Sequence, residues 1–293
     1  MSVSPGLGVG HEVDLSAGRI AYREAGSGPA VVFVHGLLVN GDLWRAVVPR
    51  LSDSHHCITP DLPLGGHAMP MRAGADLSPP GQARLLAELI DRLDLRDITL
   101  VGNDTGGAIV QLLMAGGDHD RIARVVLTSC DCFDIFLPRI FAPLRLLAVP
   151  GVAAVARIGL HRRLLQRLPV GFGLVTRSTL PPAIVDSYLG GLRDAGVRRD
   201  LAAVMRGLDR RHTLAAAERL PGFEKPALVA WADTDRVFPR DHGRRLAALL
   251  PRGRFVFVED SLAFVPEDRP DRLADLIGEF VAANGGVAAA APV

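Results

Sequence analysis

The stretch LVGNDTGG (residues 100–107) leaves an apolar run, sets an aspartate between two glycines and enters a helical pattern within a few residues. Gly102-Asn103-Asp104-Thr105-Gly106 has the spacing Gly-x-nucleophile-x-Gly, with aspartate where serine is more familiar. A side chain on such a sharp strand-to-helix turn stands bare above its sheet, and the flanking glycines let neighbouring backbone pack against the bend. The helix expected from about residue 106 to 116 points free N–H groups and a positive dipole at the turn, which favours an ionised carboxylate. A carboxylate so placed can attack carbon and form an ester. The plainer alternative is that Asp104 only caps the helix.

Working outward from this turn, short apolar runs alternate with longer helical patterns. HEVDLSAG and RIAYREAG alternate with a period of two and predict an antiparallel pair, and AVVFVHG (30–36) reads as a strand buried on both faces. Residues 41–52 carry Leu43, Trp44, Val47, Val48 and Leu51 at helical spacing. HHCITPDLP (55–63) predicts a strand, SPPGQARLLAELIDRL (78–93) a helix with prolines suited to its first turn, and ARVVLTSC a further strand. Such alternation implies parallel strands joined by crossover helices. It stops after Cys132: residues 133 to about 222 contain helical candidates, including PAIVDSYLGGLRD and RRDLAAVMRGLD, and no strand-like run. The pattern resumes with PALVAWA (226–232), a helix over 241–250, the strand RFVFVED (254–260) and a helix over 267–283. A helical insertion thus interrupts a parallel sheet, and the residues after 283 are expected to form a flexible tail.

Bulk composition narrows the classes of function. With 293 residues, 48% of them apolar, the chain can bury one large core. Thirty-three basic against 32 acidic residues give a net charge of +1, which offers no reason to expect nucleic acid or an anionic membrane as partner. Nearly all the bases are arginine, Lys225 being the only lysine. Cys57, Cys130 and Cys132 are too few for a disulfide framework, and the Cys-Asp-Cys at 130–132 lacks a second ligand pair for a metal. The first residues lack a basic segment followed by an apolar one, and no run is long enough to span a bilayer. A cytoplasmic monomer or homodimer acting on a small molecule, without stable membrane insertion, is the expectation.

Two further stretches converge on the turn. HGLL (35–38) follows the third strand; in enzymes built around a Gly-x-nucleophile-x-Gly turn of this kind, the loop at that place supplies one backbone N–H of an oxyanion hole and the residue after the nucleophile supplies the other. Those donors would be Leu37 and Thr105, with His35 a structural residue beneath the loop. In WADTDRVFP (231–239), an aspartate just past a late strand is where the acid of a nucleophile–acid–histidine triad sits. Asp235 has the better offset; Asp233 reads as a turn residue.

Taken in order, HG (35–36), DLW (42–44), PDLP (60–63), GNDTGG (102–107), DTDRVFP (233–239) and EDRPDRLADLIGEF (267–280) resemble the α/β-hydrolase superfamily. The resemblance is to its branch with an aspartate nucleophile, which includes haloalkane dehalogenases, haloacetate dehalogenases and epoxide hydrolases. It spans roughly residues 20 to 283 and implies an α/β fold with a mostly parallel eight-stranded sheet flanked by helices. Residues 1–132 and 223–283 would form the core, 133–222 a helical lid and 284–293 the tail. No metal or organic cofactor is implied.

The departures from that family are as informative. Its last catalytic member is a histidine shortly before an E-D-x-P segment; here DSLAFVPEDRP (260–270) puts Ala263 in the slot, and no histidine follows His242. Attack by the carboxylate needs no base, but hydrolysis of the resulting ester does. His67, in LPLGGHAMPM, is the preferred substitute, since its loop should open on the same sheet edge as Asp104. His161 and His212 belong to the lid and could reach in, and His242 follows Asp241 at a helix start. Alternatively Asp104 moves protons in a lyase, isomerase or cyclase reaction, or the chain only binds a ligand. Asp131 in SCDCFDIF (129–136) is an alternative acid. Thr105 stands where haloalkane dehalogenases have a tryptophan, and the lid offers one tyrosine, Tyr188, where epoxide hydrolases use two.

Overall fold

A computed structural model describes residues 2–117, 120–160 and 172–285. Strands β1 (Val9–Leu15) and β2 (Gly18–Ala25) form the antiparallel pair expected from their alternation. The sheet continues through β3 (Ala30–Val34), β4 (His56–Pro60), β5 (Ile98–Asp104), β6 (Ile122–Cys130), β7 (Ala227–Ala232) and β8 (Gly253–Val258). Its order is β1-β2-β4-β3-β5-β6-β7-β8; β2 meets β4 antiparallel, and every later pairing is parallel. The fold is therefore the eight-stranded, mostly parallel α/β sheet that the sequence implies. The continuous apolar runs of β3 and β7 are buried along their length because helices cover both faces.

Among the described residues the helices are α1 (Val48–Leu51), α2 (Pro79–Arg92), α3 (Thr105–Ala115), α4 (Val152–Leu160), α5 (Pro182–Gly190), α6 (Ala195–Gly207), α7 (Arg210–Arg219), α8 (Arg240–Leu249), α9 (Val265–Asp268) and α10 (Pro270–Asn284). Two differ from expectation. The helix predicted over 41–52 splits into a 3-10 turn, Gly41–Trp44, and α1. Asn40 caps the turn by accepting from the Asp42 N–H, and Pro49, at the start of α1, has no N–H to continue an earlier ladder. The helix predicted over 267–283 breaks before Pro270 for the same reason. Between β6 and β7 the described residues hold the 3-10 run Arg139–Ala148 and helices α4 to α7, and no strand. His161 and residues 286–293 lie outside the described residues.

Parallel pairing puts the C-terminal ends of β5, β6, β7 and β8 side by side in one row. Asp104 closes β5, Asp131 follows β6, Asp235 lies just past β7 and Ala263 lies beyond β8. This edge carries the site. Among the described residues no helix is long and apolar enough to cross a membrane.

Candidate active site

Asp104 has φ 53° and ψ −132°. For a residue with a side chain this positive φ is strained, costing on the order of 1–3 kcal/mol, and it persists only where packing over-determines it. Two close approaches do so here. A Cβ on Gly106 would overlap the carbonyl oxygens of Val34 and His35, so the glycine lets α3 start hard against the end of β3. A Cβ on Gly36 would strike the Asp104 carboxylate itself, so a bare backbone is required where the HGLL loop passes the acid.

The Asp104 side chain makes no capping hydrogen bond to its helix. Instead Oδ2 accepts from the Leu37 N–H at 3.2 Å, across the sheet edge. Burial pushes this carboxyl up to about 7, although the Leu37 and Thr105 amides favour its ionised form; the charge of Asp235 adds to the rise. Asp104, Thr105 and Asp131 are the polar part of the wall of a cavity of ≈ 60 Å³, whose remaining wall includes Leu37, Leu137, Phe141, Phe172 and Phe264. The cavity is small and, apart from these three residues, apolar.

Asp131 is 1% exposed. Its Oδ2 accepts from the Thr105 hydroxyl at 3.1 Å and its Oδ1 from the Leu137 N–H at 3.1 Å. Burial first, and the charge of Asp104 next, hold it well above the usual carboxylate range. The charge of Asp104 thus disfavours ionisation of the acid beside it.

Asp235 uses Oδ1 to accept from Val237 N–H at 2.8 Å and Phe238 N–H at 2.9 Å. Its Oδ2 is buried and has no hydrogen-bond partner among the described residues. Burial pushes this group up to about 6 against the pull of the Phe238 and Val237 amides and, more weakly, of the nearby Ser129 hydroxyl. Ala263 is fully buried and its methyl offers no donor to that oxygen; its carbonyl accepts from Asn103 Nδ2 at 2.8 Å.

The other candidates lie elsewhere. His67 is buried, with Nδ1 accepting from the Gly65 N–H at 3.3 Å and Nε2 facing Asp200 Oδ2 at 3.4 Å, and it is not part of the cavity wall. His35 bridges Gly36 O at 2.8 Å and the Leu62 N–H at 2.9 Å; burial pushes its pKa down to about 4, so it is a neutral strut beneath the loop. His242 faces Cys132 at 3.8 Å and Asp134 at 3.7 Å. Tyr188 is buried and donates to Glu267 Oε1 at 3.0 Å, outside the cavity wall. Cys130 and Cys132 are buried thiols, and the described residues hold no group of three or more His, Cys, Asp or Glu placed to bind a metal ion.

Sequence reasoning missed Asn103. Its Nδ2 donates to Thr128 Oγ1 at 2.7 Å, Ser129 O at 3.2 Å and Ala263 O at 2.8 Å, which ties the ends of β5 and β6 to the segment after β8. A polar residue facing inward beside the elbow was the available signal.

Residues 29–270 match the family described as alpha/beta hydrolase fold. Haloalkane dehalogenase 2 of Mycobacterium tuberculosis is 30% identical over 274 residues, covering 91% of this chain and 92% of that protein. A non-heme chloroperoxidase of Kitasatospora aureofaciens is 27% identical, covering 90% of this chain and 96% of its own. Among solved structures, the haloalkane dehalogenase DbeA of Bradyrhizobium elkani superimposes with a TM-score of 0.77 at 21% identity, covering 94% of this chain and 98% of that one. With its family match running from β3 to the start of α10, and with enzymes among its relatives, the chain belongs to the alpha/beta hydrolase fold family and is a hydrolase of that family.

Proposed function

We propose that the protein acts on a small apolar molecule bearing an electrophilic carbon, which the Asp104 carboxylate attacks. The observation that carries this reading is the strained elbow, which aims a carboxylate into an apolar cavity while an amide from another loop holds one of its oxygens. The likeness to haloalkane dehalogenase 2 supports it. In the first step Oδ1 forms a bond to carbon and the leaving group, a halide or the oxygen of a strained ring, departs with its electron pair. In the second, water gives up a proton as it adds to the ester carbonyl, and the Leu37 and Thr105 N–H groups take up the charge developing on its oxygen. Collapse then breaks the ester bond, releasing the alcohol and restoring the Asp104 carboxylate.

The second step needs a base. His67 could serve only by leaving Asp200 and Gly65. Asp235, which like His67 lies outside the cavity wall, is the choice with an open acceptor: its unpartnered Oδ2 can take the proton of a water that reaches it from the cavity, and burial pushes its carboxyl up to about 6. A carboxylate is a weaker base toward water than a histidine–aspartate pair, so the ester should form faster than it breaks down. Residues 133–222, several of which cover the cavity, act in this reading as a lid. A second reading, proton transfer without an ester, is favoured by the Asp104 pKa of about 7, which suits an acid or base at neutral pH.

Intact-mass spectrometry after incubation with a panel of alkyl halides and epoxides tests both. The expected result is an adduct on Asp104 that persists for minutes, is absent in Asp104→Asn and clears faster in Ala263→His. Neither adduct nor product from any substrate would overturn the nucleophile. Deuterium uptake from solvent without an adduct would transfer the assignment to proton transfer.

A further inference from the structure

The lid segment carries a second apolar surface, facing away from the cavity. Leu137, Phe141 and Leu144 line the cavity. From the same stretch Ile140, Leu146, Val149, Val155 and Ile158 turn outward and are 49–70% exposed. Five of the eight exposed large apolar side chains among the described residues therefore fall within 19 consecutive positions. Isolated exposed apolar residues need no explanation; a run of them on one segment does.

Charge says what could cover this surface. Between Asp134 and Asp186 the sequence has seven arginines and no acidic residue, although the whole chain has a net charge of only +1. Arg139 and Arg145 are exposed beside Ile140 and Leu146. Next to Val149 a groove of ≈ 370 Å³ opens between residues 147–153 and α6, and its charged lining is Arg198, Arg199 and Arg206, with no acid. Arg199 pairs with Asp200, and Arg198 donates to the carbonyls of Leu192 and Arg193. Arg206 is exposed and forms no ion pair with a described residue. Arg145 donates to the Leu208 carbonyl and, like Arg139 and Arg206, has no acidic partner among the described residues. Outward apolar side chains beside such arginines are the composition that seats a protein on an anionic lipid surface, with the apolar groups at the acyl boundary and the guanidinium groups on phosphates. A second copy packed by two-fold symmetry would set this basic face against itself.

We propose that the outer face of the 139–158 segment, together with the Arg198–Arg206 groove, docks reversibly on membranes containing anionic phospholipids. The inner side of the same segment covers the cavity, so docking brings the cavity to where apolar molecules partition. Docking does not depend on which residue performs the chemistry.

Liposome flotation of the full chain reads it directly. Binding to phosphatidylcholine mixed with phosphatidylglycerol should be about tenfold stronger than to phosphatidylcholine alone, and it should weaken as salt is added. The double variant Val155→Asp, Ile158→Asp should lose about tenfold of this binding, with circular dichroism and melting midpoint as in the parent. Arg206→Glu, a single exposed change, should lose several-fold and guards against misfolding of the double variant. Asp104→Asn should float like the parent, which separates failure of docking from failure of the proposed chemistry. No binding, equal binding to both compositions, or unchanged binding by the variants would overturn the proposal. So would a dimer in sedimentation that the Asp variants dissolve, since the face would then join two copies.

Discussion

Asp104 is held in a state the fold works against: bent backbone, little water and a second acid nearby. Its carboxyl stands at about 7, raised by burial above its ordinary value of 3.8. A raised acid binds its proton more tightly in the folded chain, so its contribution to stability is fully present below pH 3.8 and is lost as pH rises toward 7. Asp235, at about 6, acts in the same direction. Calorimetry at pH 5 and pH 8 should therefore show Asp104→Asn gaining on the parent at the higher pH, by on the order of 2 kcal/mol. Asn keeps an oxygen for the Leu37 N–H and has no charge to desolvate. An unchanged difference between the two pH values would mean that the acid ionises without hindrance. The motif around Asp104 was legible because Gly102 and Gly106 flank it at fixed spacing. Its titration was not, because that depends on Asp131 and Asp235, which are brought near only by the pairing of β5, β6 and β7.

The four strand ends form one structural element, and Asn103 is its clasp. Replacing Asn103 with Ala removes bonds to Thr128, Ser129 and Ala263 at once and leaves the Ser129 and Ala263 carbonyls short of a partner. Urea unfolding should show a loss of roughly 2–3 kcal/mol. Any adduct on Asp104 should also form more slowly, because the elbow loses its anchor to the Ala263 segment. A variant as stable as the parent would show that these ends are held by packing alone. Elements were legible wherever one periodicity ran unbroken, as in α2 and in the buried strands. They failed where proline interrupted an otherwise helical stripe: Pro49 and Pro270 end hydrogen-bond ladders that Leu51 and Leu273 alone would have extended. The base is the harder case. His67 sits on a loop that could have opened toward the acids, but its ring is taken by Asp200, a residue of α6 more than a hundred positions away.

At the scale of the molecule, one tie between the covering helices and the core is a partly buried ion pair. Arg45 follows the turn after β3, Glu267 lies in α9 beside the Ala263 segment, and Tyr188 belongs to α5, between β6 and β7. Arg45 gives Glu267 two bonds, at 2.5 and 2.7 Å, and the Tyr188 hydroxyl gives it a third at 3.0 Å. Burial alone would ease the proton off Arg45, but the hydrogen bonds and charge of Glu267 more than offset this and hold the guanidinium ionised. Burial and the same carboxylate hold the Tyr188 phenol protonated. Glu267→Ala would leave a half-buried guanidinium without its counter-charge, and chemical unfolding should show a loss of about 2–3 kcal/mol. Tyr188→Phe keeps the ion pair and removes one hydrogen bond, so it should cost only about 1 kcal/mol. If the tie also positions the cavity wall, Tyr188→Phe should let a large alkyl halide react faster while a small one reacts as before, because Phe172, which packs on Tyr188, would loosen. In the double variant Arg45→Ala, Glu267→Ala the loss should be well below the sum of the two single losses, since no charge is stranded. Full additivity would mean that the two side chains act independently and that α5 is held by apolar packing instead.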